Sequence, residues 1–71
     1  EAAMIHLALT DAADVRIDVL NTLGQTLQTI YPGNVQTLQQ EVNLSPLSDG
    51  VYFLRIAMGG ENALRRVVLQ R

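Results

Sequence analysis

The sequence predicts an all-β fold, an antiparallel sandwich of about six to seven short strands, forming a single domain over residues 1–71. Three observations predict it. Apolar residues recur with a period of two, as in Ile5, Leu7 and Leu9, a spacing that sends one row of side chains to a core and the other to water. Clusters of Gly, Pro, Asn, Asp and Ser punctuate the chain at spacings of about 8–12 residues, the rhythm of a sandwich or barrel. Several runs also carry apolar residues on both faces, Leu20 after Val19 and Val51 and Phe53 around Tyr52, which a single sheet with one wet face would leave in solvent.

The elements follow in order. Ile5, Leu7 and Leu9 alternate with His6, Ala8 and Thr10, giving a first strand. Val15, Ile17 and Val19 alternate with Arg16 and Asp18, giving a second, and Asp11-Ala12-Ala13-Asp14 reads as the turn between them. A third strand over residues 25–31 is more polar, with Leu27 and Ile30 on opposite faces. Asn21-Thr22-Leu23-Gly24 precedes it, with Gly24 free to take positive φ at a bulge. Pro32-Gly33-Asn34 reads as the next turn, and Leu38, Val42 and Leu44 then fall in phase with Gln40 as the polar exception. Ser45-Pro46-Leu47-Ser48-Asp49-Gly50 makes a longer crossing. The strongest strand covers residues 51–58, where Tyr52, Leu54, Ile56 and Met58 share a face. Gly59-Gly60-Glu61-Asn62 closes a final hairpin. The last strand, residues 63–70, has two registers open to it: Val67 and Leu69 inward, or Leu64 and Val68 inward. Leu20, Leu23 and Leu27 stand at helical spacing, but the β-branched run before them and Gly24 argue against a helix.

Composition removes several classes of function. The chain has 71 residues and no cysteine, so disulfide staples, thiolate nucleophiles and cysteine–zinc sites are all excluded. A domain of this length buries only about 60% of its unfolded surface, which leaves little room for both a core and a deep catalytic pocket. The net charge is -2, every basic residue is arginine, and aromatic residues make up 4% of the chain. Such a chain lacks the basic footprint and the stacking residues of a nucleic-acid binder. No apolar run approaches a bilayer-spanning length, and Glu1-Ala2-Ala3 has neither the basic start nor the apolar core of a signal peptide.

No catalytic set emerges. His6 is the sole histidine and reads as a solvated side chain, since zinc needs three or four ligands. Asp11, Asp14 and Asp18 read as solvated turn and edge carboxylates, because calcium gathers six to eight oxygens in a loop. Ser45 and Ser48 have no base near them in sequence, and Asp49 reads as a turn residue. Gly59-Gly60 leads into a strand, not into the helix that a phosphate loop requires. The expectation is therefore a protein that is not an enzyme, with no cofactor and no metal.

Leu47-Ser48-Asp49-Gly50-Val51-Tyr52 is the most informative stretch. A tyrosine two residues after a turn glycine resembles the tyrosine corner of immunoglobulin-like sandwiches, in which the hydroxyl bonds to upstream backbone and fixes a crossover loop. Taken in order, the segment 15–27 with its turn and Gly24, the segment 42–56 containing that corner, and the ending Arg65-Arg66-Val67-Val68-Leu69-Gln70-Arg71 closely resemble the C-terminal sorting domain (type A) of the type IX, or Por, secretion system of the Bacteroidetes. The resemblance runs from about Met4 to Arg71. It implies an immunoglobulin-like domain that directs a cargo protein across the outer membrane. The implied partners are the outer-membrane translocon, a shuttle barrel and a surface sortase that removes the domain. The implied route is periplasmic transit, then the cell surface or secretion. The positions matching the family are Gly24, Gly50, Tyr52, Arg65, Arg66, Val67 and Leu69, and with Arg71 they form the expected recognition set.

The family opens on an Asn-Pro-containing strand that this chain lacks ahead of Met4. The resemblance therefore implies a sandwich short of its first strand, with an exposed edge open to homodimer pairing. Two other readings compete: a passive immunoglobulin-like spacer or accessory domain of a secreted or surface enzyme, and an insert of the kind found in flagellar hook-cap proteins. The scarcity of aromatic residues, Tyr31, Tyr52 and Phe53 alone, counts against glycan binding by the former.

Overall fold

The computed structural model describes residues 2–70, and the chain is all-β and antiparallel. Four strands form it: β1 (Ala2–Leu20), β2 (Thr26–Asn43), β3 (Gly50–Met58) and β4 (Glu61–Leu69). They make one open sheet in the order β2-β1-β3-β4.

Six to seven short strands are expected, and four are found, because two of the expected turns do not end a strand. Asp11-Ala12-Ala13-Asp14 lies inside β1, and Pro32-Gly33-Asn34 lies inside β2. Both are places where the ladder slips. Ala8 pairs with Thr37 and Ala13 with Val35, so five steps along β1 match two along β2. Val15 pairs with Gly33 and Ile17 with Ile30, so two steps along β1 match three along β2. The surplus residue of this second bulge falls where Pro32 has no N–H to donate, which is where a strand tolerates proline. Turn chemistry here bends a continuous hairpin instead of closing it.

The bends make the core. A straight strand of 19 residues would run about 60 Å, yet the longest dimension of the molecule is 36 Å. The β1–β2 hairpin is therefore folded over, so that Ile5 and Val42 from its open end join Val15, Ile17, Val19, Leu54 and Ile56 in one buried cluster. The apolar rows expected on alternate positions (Ile5, Leu7, Leu9; Val15, Ile17, Val19; Leu38, Val42, Leu44; Tyr52, Leu54, Ile56, Met58) are the rows that pack there. Gln40 pairs with Ile5 on the inward side and donates its side-chain amide to the Glu41 carbonyl at 2.9 Å.

Two turns hold the register. Asn21 closes the β1–β2 turn: its Oδ1 accepts from the Leu23 and Gln25 amides, both at 2.9 Å, and Gly24 takes φ +84°. Positive φ at a glycine after a tight turn is the bulge that lets a hairpin keep its strand twist. At the other hairpin Met58 pairs with Glu61, leaving Gly59-Gly60 as a two-residue turn with φ +62° at Gly59, the pattern of a type II′ turn.

Candidate functional site

β4 ends the sheet, hydrogen-bonded to β3 on one side and free of strand partners on the other. Its register is decided by the β3 residues opposite. Tyr52 pairs with Val67 and Gly50 with Leu69, so these two point into the core, and Leu69 is 2% exposed. Leu64 and Val68 consequently face water at 55% and 54%. The two arginines of the strand part company: Arg65 pairs with inward-facing Leu54, and Arg66 pairs with Phe53 on the outer face. Arg65 lines an apolar groove between β4, β3 and the first half of β1, together with Ala3, Ile5, Ile56 and Val67. Beside that groove, residues 2–8 of β1 pair only with β2 and leave their other edge without a strand.

The corner at the start of β3 is built as the sequence implies. The Tyr52 hydroxyl donates to the Ser48 carbonyl at 2.7 Å, and the ring is buried. Gly50 has φ +152°, and a Cβ there would sit 3.9 Å from the Tyr52 ring. Glycine thus supplies the backbone angle that brings the tyrosine round to its own upstream loop. Leu47 closes the same loop by donating its amide to the Leu44 carbonyl at 3.0 Å. The Gly24 turn, the Gly50–Tyr52 corner and Leu69 all lie at one end of the sheet, because Leu20 pairs with Phe53 and Gly50 with Leu69. Arg65 and Arg66 stand further along β4. Arg71 lies outside the described residues.

One group contradicts the reading of its sequence. Asp18, expected as a solvated carboxylate, is 2% exposed. It pairs with Thr29 on one side and Arg55 on the other. Its Oδ1 accepts from Thr29 Oγ1 at 2.8 Å and Arg16 Nε at 3.1 Å, and its Oδ2 from Arg55 Nη2 at 2.8 Å and Nε at 3.2 Å. The Arg16 guanidinium lies 5.8 Å from the centre of the Tyr31 ring. Burial pushes the carboxyl upward, but the bonds from Arg55, Thr29 and Arg16 outweigh it and hold the group below its ordinary 3.8. The two-residue spacing that puts Arg16 and Asp18 on one side of a strand is the local signal of their pairing. The partners thirty-seven and eleven residues away depend on cross-strand register, which one sequence does not fix.

His6 is exposed, and among the described residues no group of three or more His, Cys, Asp or Glu is placed to hold a metal ion. What the molecule presents is surface: a free terminal strand, an apolar groove and a face studded with arginine. A model of the secretion-system C-terminal sorting-domain family matches residues 1–70. The chain belongs to that family. It is a sorting domain of type IX secretion, and the tyrosine corner, the Gly24 turn and the inward Val67 and Leu69 are how this sorting domain builds its sheet. Membership implies export of the protein that carries it to the cell surface or beyond. No curated protein and no solved structure gives a match. Among the described residues of the sorting domain, no helix is long and apolar enough to cross a membrane.

Proposed function

We propose that this sorting domain is read by the outer-membrane translocon through β4, carries its cargo through by way of a shuttle barrel, and is then removed by a surface sortase. Before that step the cargo waits in the periplasm. The match of the sorting-domain family across residues 1–70 carries this reading. Free strand edges supply the physics: a strand with unpaired backbone groups can add to a partner's sheet while pockets read its alternate side chains. On β4 the unspent side chains are Leu64, Arg66 and Val68 on one face and Arg65 at the groove, while Val67 and Leu69 anchor the strand. Gly24, Gly50 and Tyr52 act at a distance in this reading, as the scaffold that holds β4 in register. Its work is recognition, not catalysis.

Truncation tests the reading. A cargo fused to the chain without residues 63–71 is expected to stay in the periplasm of a type IX-competent cell. Delivery of that truncated fusion at the level of the intact one would rule out β4 as the part that is read.

The folded-over sheet also serves, in this proposal, as an immunoglobulin-like sandwich with a free strand edge at residues 2–8. A second copy pairing there would give a homodimer. Sedimentation equilibrium reads this directly, with twice the mass of the 7.8 kDa chain expected at high concentration. A single monomeric species throughout would remove it.

A further inference from the structure

The outer face of the sheet is arranged as a docking surface. Opposite residues in an antiparallel ladder point to the same side, so Arg16, Asp18 and Leu20 of β1 share a face with Val51, Phe53 and Arg55 of β3 and with Leu64, Arg66 and Val68 of β4. The core lies on the other side. Over β1 16–20, β2 26–31, β3 51–57 and β4 62–68 the only carboxylate is Asp18, and it is buried beneath Arg16 and Arg55. Exposed Asp14, two residues before Arg16 on the same side of β1, stands at the margin of this face and accepts from the Asn34 side-chain amide at 3.2 Å. With it counted, three arginines against two aspartates leave one positive charge in excess on this face, in a chain whose net charge is -2.

The arginines are held, not merely present. Arg55 gives two of its donors to Asp18 and Arg16 gives one, while their side chains remain 42% and 47% exposed. The buried carboxylate fixes two guanidinium groups in position with donors left over for a planar acceptor. Around them Leu64 and Val68 are more than half exposed and Val51 is 38% exposed. Arg66 makes no side-chain hydrogen bond or ion pair among the described residues.

We propose that this face docks a carboxylate-bearing protein surface of the export apparatus, with Arg16, Arg55 and Arg66 pairing its acidic side chains and Val51, Leu64 and Val68 giving the apolar contact between them. The proposal rests on the sorting reading and extends the outward row of β4 across β3 and β1, so that Val51, Arg55 and Arg16 are read together with Leu64, Arg66 and Val68. Charge complementarity names the occupant, since arginine paired with carboxylate amid apolar residues is the usual anchor of a protein interface. An anionic bilayer fits less well. Recruitment to it takes clusters of about four to eight basic residues, and this chain as a whole is acidic.

The test uses a periplasmic reporter carrying the chain in a type IX-competent cell. Arg66→Glu is expected to cut surface delivery about tenfold, as loss of an interface arginine does, and Arg66→Lys to restore most of it, with the melting temperature of the isolated chain unchanged in both. The chain contains no lysine, so Arg66→Lys places a single reactive side-chain amine on the face. Carbodiimide treatment should then join position 66 to an Asp or Glu of an outer-membrane export component, and Arg66→Gln should give no such link. Wild-type delivery of Arg66→Glu, or no link above the Arg66→Gln control, overturns the proposal while leaving the sorting reading intact. Failure of the unmodified chain to be delivered at all sinks the sorting reading and this one with it. Binding to vesicles with one-fifth phosphatidylglycerol that Arg66→Glu abolishes, with delivery unaffected, would make the face a membrane surface and overturn the proposal too.

Discussion

Asp18 and Tyr52 each spend a polar group where the sheet would otherwise bury an apolar one, and each does so to hold something else in place. The Tyr52 hydroxyl fixes the loop before β3 by one bond to the Ser48 carbonyl. Tyr52→Phe leaves that carbonyl without its donor and is expected to lower stability by about 1 kcal/mol, read as a shift in urea midpoint with the slope unchanged. An unshifted midpoint would mean the corner bond contributes nothing. For Asp18 the sign follows from protonation. Its carboxyl is held below 3.8 in the folded chain, so the unfolded chain binds the proton more readily, and the contribution is full above pH 3.8 and lost as pH falls through the lowered value. The melting-temperature gap between wild type and Asp18→Asn is therefore expected to narrow on acidification below pH 3.8; a gap that stays constant would contradict the ion-pair account. Arg55→Ala should cost more than Arg16→Ala, because Arg55 makes two bonds to the carboxylate and Arg16 one. A difference of about 1–2 kcal/mol in chemical denaturation is expected. The corner was legible in the sequence because its parts lie within five residues of each other. The Asp18 cluster was not, since its partners come from three strands and meet only once the register is set.

At the scale of elements, period-two patterning located each apolar row and left open which row of the last strand faces in. The register against β3 decides for Val67 and Leu69; within residues 63–70 each row carries two large aliphatic side chains and one arginine, a near balance that leaves the choice to the partner strand. Leu69→Ala is expected to cost about 2–4 kcal/mol as a cavity beneath the sheet, and Val68→Ala to stay within about 0.5 kcal/mol. Thermal melts of the two variants check this, and a larger loss for Val68→Ala than for Leu69→Ala would indicate the other register. The strand count differs from the expected six to seven for a related reason. Asp, Pro, Gly and Asn mark places where a ladder is interrupted, but whether the chain turns back or only bends depends on what lies across from it. At Ala8–Ala13 and Val15–Ile17 the partner strand continues, so the interruptions became bulges. At Gly24 it does not, and the turn is real. Gly24→Ala forces a side chain into φ +84° and is expected to cost about 1–2 kcal/mol, whereas Leu23→Ala beside it, with Leu23 82% exposed, should be neutral.

For the molecule as a whole, the sequence made the function visible through ordered motifs and not through chemistry. The ordered motifs, ending on an arginine-bearing strand, point to a sorting domain, the family to which the chain belongs. The surfaces themselves needed the fold: which edge of β1 is free, which side of β4 each arginine takes, and that Arg16, Arg55 and Arg66 meet on one face. These belong to tertiary register, which residue order constrains only through its partners. The most direct measurement compares surface delivery of a periplasmic reporter bearing the intact chain in a type IX-competent cell and in the same cell with its translocon inactivated. Delivery to the surface in the first and retention in the periplasm in the second is the expected result. Retention in both, or delivery in both, would contradict the assignment of the chain as a type IX sorting signal.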